Sequence, residues 1–370
     1  MKYYIISGEA SGDLHGSNLI KQLKLLDKSA KIRCWGGNLM ESAGATLVKH
    51  YRELAFMGFI EVVKNLPAIL KNISFCKEDI ISFAPDVLVL IDYPGFNLRI
   101  AEWGKKQGYK IVYYISPQVW AWKESRVKKM KTCIDKMLVI LPFEKDYYKD
   151  KWQWDVEYVG HPLVEVIEDY IDTHSIRLAE DNKRPIVALL PGSRKQEIEK
   201  KLPVMLAVST SLPEYQFIVA KAPGLEDSFY ETFLAPYSNV SVVNNDTYGL
   251  LMQSNAALVT SGTATLETAL FGVPEVVCYK GSPISYQIGK RLIKIKFISL
   301  VNLIMDRAVV KELIQDEMTT ENLTKELYNI VNDVELQQKL QNDYTALKSL
   351  LSQDGNASIK AAKSIVSFCK

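Results

Sequence analysis

Asp92 follows five apolar residues, Val87 to Ile91, and stands before Tyr93-Pro94-Gly95-Phe96-Asn97. An aspartate ending a buried strand is partly desolvated, which raises a carboxyl pKa toward the range where it can take a proton from a reacting hydroxyl. The competing reading is a helix cap, a role aspartate often fills. A second spelling with chemical content is Leu189-Leu190-Pro191-Gly192-Ser193-Arg194. Gly192 and Ser193 offer backbone and hydroxyl donors and Arg194 a forked cation, a combination suited to phosphate oxygens. The third, Ser261-Gly262-Thr263-Ala264-Thr265-Leu266-Glu267, opens a helix after the apolar run Ala257–Thr260. The free N–H groups of Gly262, Thr263 and Ala264 suit a diphosphate, and Glu267, about one turn later, suits two ribose hydroxyls. A well-capped core helix with Glu267 exposed is the plainer alternative.

A fourth turn, Ser7-Gly8-Glu9-Ala10-Ser11-Gly12-Asp13, also joins an apolar run to a helix. Its glycines permit close backbone approach, and the helix start offers N–H groups to an anion. The spelling is neither Gly-x-Gly-x-x-Gly nor Gly-x-x-x-x-Gly-Lys-Ser/Thr, which disfavours dinucleotide binding and a P-loop.

Turns of this kind need strands and helices to aim them. Apolar runs at Tyr3–Ser7, Ile32–Trp35, Val87–Ile91, Ile111–Ile115 and Met137–Leu141 alternate with helical stretches, which predicts a parallel sheet covered on both faces. After a charged stretch at Asp169–Arg184 the pattern restarts with Ile186–Leu190, Phe217–Ala220, Val240–Val243, Ala257–Thr260 and Val276–Tyr279. The expectation is an α/β protein of two doubly wound domains, residues 1–165 and 166–344. A tail of successive helices follows from about Glu321, broken near Asp354-Gly355, and residues 345–370 are expected to rejoin the first domain. Ligands of open α/β sheets bind beyond the carboxyl ends of the strands, so a cleft lined by both sets of strand ends is the expected site.

Bulk properties remove several classes. At 370 residues the chain exceeds one ordinary core. With 45 basic against 43 acidic residues it is no globally basic nucleic-acid binder. Five scattered cysteines and four scattered histidines (His15, His50, His161, His174) lack metal-ligand spacing, and no Asp-x-Asp or Gly-x-Ser-x-Gly occurs, so neither a metal site, a bound cofactor nor an α/β-hydrolase elbow is expected. Unpaired cysteines suit a reducing cytosol, which makes sequons such as Asn72-Ile73-Ser74 chance matches. The N-terminal apolar run is too short for a signal segment, and the longest uncharged run, Thr247 to Leu266, is too polar to span a bilayer.

Taken in order, these motifs resemble the lipid-A-disaccharide synthase family, inverting glycosyltransferases built from two Rossmann-like domains in the GT-B arrangement. Besides the four turns, the resemblance includes Met57-Gly58-Phe59-Ile60-Glu61-Val62, Ser116-Pro117-Gln118-Val119-Trp120-Ala121-Trp122, Leu141-Pro142-Phe143-Glu144 and Val159-Gly160-His161-Pro162. It covers nearly the whole chain. Departures are Val301 before Asn302, where proline is expected, and Glu275 after Pro274, where an apolar residue is usual.

The resemblance implies transfer of 2,3-diacylglucosamine from its UDP derivative to the 6-hydroxyl of 2,3-diacylglucosamine 1-phosphate, forming a β-1,6 disaccharide and UDP. Asp92 would be the base. Gly192, Ser193, Arg194, Ser261, Gly262, Thr263, Ala264, Glu267 and Asn302 would hold the donor. Glu9, Ser11, Gly12, Asp13, Met57, Phe59, Asn97 and Gln118 would lie on the acceptor and lipid side. Acylated substrates need an apolar route, and Phe59, Val62, Val63, Leu66, Ile69, Leu70 and Ile73 recur at helical spacing, a stripe that suits core packing as well as acyl-chain contact or membrane docking. Basic clusters at Arg126–Lys131 and Lys290–Lys296 suit an anionic leaflet, so the expected location is the cytoplasmic face of the inner membrane, held peripherally. Helical tails can exchange between subunits, which leaves a homodimer open. Two other functions fit the same architecture: a nucleotide-sugar 2-epimerase and a catalytically silent UDP-sugar-binding module.

Overall fold

A computed structural model of the chain describes residues 1–54, 66–174, 184–222, 224–282, 296–352 and 355–370. Met57, Phe59, Val62, Val63, Lys290–Ile295 and Asp354 therefore lie outside the described residues. The chain divides into two compact units: Met1–Pro162 with Leu351–Lys370, and Leu163–Leu350.

The first unit is built on a seven-stranded parallel sheet: β1 (Lys2–Ile6), β2 (Lys31–Gly36), β3 (Thr46–His50), β4 (Val87–Ile91), β5 (Lys110–Tyr114), β6 (Lys136–Val139) and β7 (Glu157–Tyr158), in spatial order β3-β2-β1-β4-β5-β6-β7. The chain starts at β1, steps outward to β3, then returns to the other side of β1 with β4. The register at this reversal pairs Ile5 with both Cys34 and Val89. Each residue of β4 is fully buried, because helices cover both faces and leave no place for an alternating polar pattern.

The second unit repeats the plan with six parallel strands: β8 (Ile186–Leu190), β9 (Gln216–Lys221), β10 (Val240–Asn244), β11 (Ser254–Thr260), β12 (Glu275–Tyr279) and β13 (Lys311–Ile314), ordered β10-β9-β8-β11-β12-β13. Here the reversal lies between β8 and β11, with Leu258 beside Leu189. Both sheets are thus doubly wound, and each unit has one point where neighbouring strands lead to opposite faces. The α/β class expected from the sequence is what the chain adopts, with a helical tail at Thr320–Asn332, Val334–Ser352 and Ala357–Cys369.

Three strands have no counterpart among the apolar runs: β3, β7 and β13. Each is short and lies at a sheet edge, and each includes charged side chains such as Lys49, Glu157 or Lys311. Half-solvated edges need no continuous apolar run. The last helix, Ala357–Cys369, packs against the helix Ala10–Leu26 of its own unit and buries Ala361, Ala362 and Ile365.

The two family departures are both in the interior. Val301 is fully buried in the short helix Leu300–Met305. Glu275 is 1% exposed, and neither carboxyl oxygen has a hydrogen-bond partner among the described residues. Burial, then the neighbouring Glu312, push its pKa well above the ordinary value.

Candidate functional site

In the first unit β1 and β4 deliver the turns Ser7–Asp13 and Asp92–Asn97 side by side. Gly8 makes this possible: a Cβ there would lie 2.3 Å from the Tyr93 ring, so only glycine lets the aromatic side chain pack onto the neighbouring turn. Asp92 and Tyr93 both have left-handed backbones, with φ of 43° and 48°. For non-glycine residues each costs about 1–3 kcal/mol and persists only when its surroundings over-determine it. Here they do. Asn97 Nδ2 donates to the carbonyls of Ile6, Ile91 and Asp92, Tyr113 Oη donates to the Asp92 carbonyl at 2.6 Å, and the Asp92 N–H donates to Tyr114 O. Burying one strand side chain yields about 1.5–3 kcal/mol, so five in β4 outweigh the strain they impose on the turn.

The side chain of Asp92 is not spent on capping. The following helix, Pro94–Lys106, has Tyr93 at its N-cap and receives no side-chain capping bond. Burial, and then the charge of Glu9, push the Asp92 carboxyl up to about 6, opposed by a backbone hydrogen bond from Tyr93. A carboxyl so tuned is ionised at neutral pH and close to the value at which proton abstraction is efficient.

The other first-unit candidates divide. Glu9 and Ser11 are exposed at the start of the helix Ala10–Leu26, and Gln118 is exposed before a short helix at Val119–Trp122. Asp13 is buried, and its carboxylate accepts from the N–H groups of Gly37, Leu39 and Met40, capping the helix Asn38–Ser42. Gly12 lets its own helix, Ala10–Leu26, press against Ser7, whose Cβ would be 2.8 Å from a Cβ at this position. Asn97 is likewise buried, its amide nitrogen clamping the Asp92 turn. Both side chains build the site's walls.

Glu144, given no role in the sequence reading, is 1% exposed. It accepts from Trp120 Nε1 at 3.2 Å and from the Leu141 N–H at 3.1 Å, tying two of the motifs together. Burial pushes its pKa up to about 8 against those bonds, with Asp92 adding a smaller upward push. At the N3 position of a helix starting with Pro142 it reads in sequence as an ordinary capping glutamate.

In the second unit β8 and β11 present Gly192–Arg194 and Ser261–Glu267. Arg194 is exposed, with Nη1 3.5 Å from Glu197 Oε1. Gly262 has φ 141° and ψ −160°, a region essentially reserved for glycine, and a Cβ there would meet nothing within 4 Å. The start of the helix Thr263–Leu270 is thus open. Gly262 and Thr263 are exposed and Ala264 is partly so, while Ser261 Oγ donates to Ile298 O. Glu267 is half-buried and accepts from Tyr248 Oη at 2.8 Å; burial raises its pKa.

Asn302 is 1% exposed with a fully employed amide. Its Nδ2 donates to Val310 O and Glu312 Oε1, and its Oδ1 accepts from the Val309 and Val310 N–H groups. Glu312 also accepts from the Ile298 and Ser299 N–H groups and Ser299 Oγ. Together they shape the segment that Ser261 bonds. Lys201, also unnoticed in the sequence, is buried here and donates to Thr260 Oγ1; four residues after Glu197, it reads as half of a surface ion pair.

Residues 3–366 match the family model described as lipid-A-disaccharide synthetase. A lipid-A-disaccharide synthase of Geobacter metallireducens is 40% identical over 336 residues, covering 89% of this chain and 87% of its own length. One from Coxiella burnetii is 38% identical over 367 residues, covering 98% and 96%. Among solved structures, UDP-GlcNAc 2-epimerase from Neisseria meningitidis bound to UDP-GlcNAc superposes with a TM-score of 0.70 at 12% identity, covering 99% of this chain and all of that one. The glycotransferase of kitacinnamycin gives 0.65 at 13%, covering 99% and 98%. These two likenesses show the shared fold.

Proposed function

The chain belongs to the lipid-A-disaccharide synthase family, and on that premise we propose that Asp92 is the base of a glycosyl transfer whose leaving group is held by the second unit. The enzyme moves 2,3-diacylglucosamine from its UDP derivative to the 6-hydroxyl of 2,3-diacylglucosamine 1-phosphate. As the hydroxyl oxygen bonds to the anomeric carbon, its proton passes to the Asp92 carboxylate. The bond from that carbon to the diphosphate breaks, its electron pair leaves with UDP, and the configuration inverts. Arg194 and the open N–H groups at Gly262, Thr263 and Ala264 meet the charge that develops on the diphosphate. Glu267 takes the ribose hydroxyls, Ser193 adds a phosphate donor, and Asn302 keeps the segment beside Ser261 in shape.

The observation that carries this reading is the Asp92 turn: a strained, over-determined backbone that leaves one uncapped carboxyl, raised to about 6, beside Glu9. Family membership at 38–40% identity favours transfer over the epimerase, whose likeness is one of fold. UDP release from the diacylated donor, measured with and without the monosaccharide acceptor, is the test. Release that requires acceptor fits the transfer. Epimer formation from UDP-N-acetylglucosamine alone would favour the rival, and UDP binding without turnover of any pair would favour a silent module.

The lipid side rests on the helix Leu66–Phe83. Ile73 is buried and Ile69 packs against the core, but Leu70, Phe75 and Ile81 are 53%, 44% and 57% exposed. No helix among the described residues is long and apolar enough to cross a membrane, so contact with acyl chains or the leaflet would be peripheral. In the basic helix Arg126–Cys133, Lys129 pairs with Glu102 and Lys131 donates to the carbonyls of Trp152 and Gln153. That leaves the exposed Lys128 as its freest cation toward an anionic surface. Release from inner membranes by high salt supports this docking, and retention in the supernatant at low salt counts against it.

A further inference from the structure

Lys201 lies in the helix Lys195–Val208 and is only 3% exposed. Lysine is almost never buried to that degree without a partner. Its Nζ donates to Thr260 Oγ1, the last side chain of β11, and lies 3.6 Å from Glu197 Oε2. The other oxygen of Glu197 is 3.5 Å from Nη1 of the exposed Arg194. Gly192 completes the group: a Cβ there would be 2.8 Å from Glu197 Oε2 and 3.4 Å from Lys201 Nζ. A row of charges, positive, negative, positive, therefore runs from solvent into the protein, and its buried end lies between Thr260, the last residue of β11, and the Gly192 turn that follows β8.

A solvated glutamate–lysine pair one helical turn apart contributes little. This one differs because the lysine has left water, so removing it strands its partner's charge in a poorly screened place. Burial lowers the Lys201 pKa, and Glu197 and then Cys278 oppose that shift.

We propose that Lys201 is a positioning residue of the donor site: its buried charge neutralises Glu197, which would otherwise repel the diphosphate and hold Arg194 for itself. The proposal rests on the donor-site reading above. With Lys201 present, the row carries one net positive charge toward the phosphates. Without it, Glu197 cancels Arg194.

The test is UDP binding by calorimetry on the full chain, comparing wild type with Lys201→Met, Glu197→Gln, the double variant and Arg194→Ala. Lys201→Met is expected to weaken UDP about tenfold, equivalent to about 1.4 kcal/mol, while Glu197→Gln binds at least as well as wild type. The double variant should recover most of the loss, which a packing defect would not. Donor KM should rise in Lys201→Met with kcat little changed. Lys201→Met binding within about twofold of wild type, or a double variant as weak as Lys201→Met, would overturn the proposal. If Lys201→Met does not fold, the double variant is compared with Glu197→Gln: matched affinities support the proposal and a tenfold gap overturns it. Arg194→Ala separates the failures. Weakened binding there with unaffected Lys201→Met sinks only the inference, whereas unchanged binding in Arg194→Ala sinks the donor-site reading itself.

Discussion

The two strand reversals, β1 beside β4 and β8 beside β11, share a topology and have opposite electrostatics. At the first, the charge of the exposed Glu9 adds to burial in raising the Asp92 carboxyl, and the turn is crowded enough that Gly8 must yield its side-chain space to Tyr93. At the second, Arg194 and Lys201 outnumber Glu197, and Gly262 opens onto empty space. The fold supplies a place where strand ends converge; the residues decide whether that place raises a carboxyl pKa or gathers cationic side chains. On the proposed function, one unit takes the proton and the other accepts the departing charge.

The sharpest way to break this division is Asp92→Asn. It should lower kcat about a thousandfold, the middle of the range for a lost general base, while calorimetric UDP affinity stays within about twofold of wild type. Loss of UDP binding in that variant would mean the two reversals are not separate in role. Gly262→Ala attacks the other side. Forcing a side chain into that backbone region costs about 1–3 kcal/mol, so donor KM should rise while the acid limb of the pH profile stays in place.

The pH profile sharpens the comparison further. Because Asp92 is raised to about 6, kcat/KM should fall tenfold per pH unit below about 6 as the base is protonated. Glu9→Gln removes the like charge and should move that limb to lower pH, whereas Arg194→Lys should leave it unmoved. An unshifted limb in Glu9→Gln would deny the pairing of the two carboxylates.

The smallest effect is on stability. A carboxyl whose folded pKa lies above its unfolded value favours the folded state below the unfolded pKa, and that advantage is lost as pH rises through the folded one. For Asp92 the window runs from about 3.8 to about 6, so at pH 8 the ionised side chain costs up to about 3 kcal/mol. Asp92→Asn should therefore melt at a higher temperature than wild type at pH 8, with the gain vanishing at pH 4. Equal melting points at both pH values would show that the carboxyl is not desolvated.

How much of this was legible in the sequence depended on whether a residue's role is local. The interior strands declared themselves as apolar runs, and Asp92 was legible because it ends one of them. The edge strands β3, β7 and β13 were not, since pairing on one side demands little of composition. The family resemblance assigns Asp13 and Asn97 to the acceptor side, yet their side chains bind backbone groups at Gly37–Met40 and at Ile6, Ile91 and Asp92, partners set by tertiary structure. Lys201 is illegible in the sequence for the same reason. Nothing in Glu197-Ile198-Glu199-Lys200-Lys201 tells which lysine leaves water; helix phase and the position of Thr260 decide it.

The composition of the first unit from two distant pieces, Met1–Pro162 and Leu351–Lys370, bears on how the protein is born. A ribosome delivers the 188 residues of the second unit, Leu163–Leu350, without interruption, so that unit can close its core as it emerges. The first unit starts earlier and finishes last, because the helix Ala10–Leu26 must wait for Ala357–Cys369 to cover it. Throughout translation the unit that carries Asp92 is short of one wall, and a nascent chain stalled before residue 351 would present that helix's apolar face to chaperones.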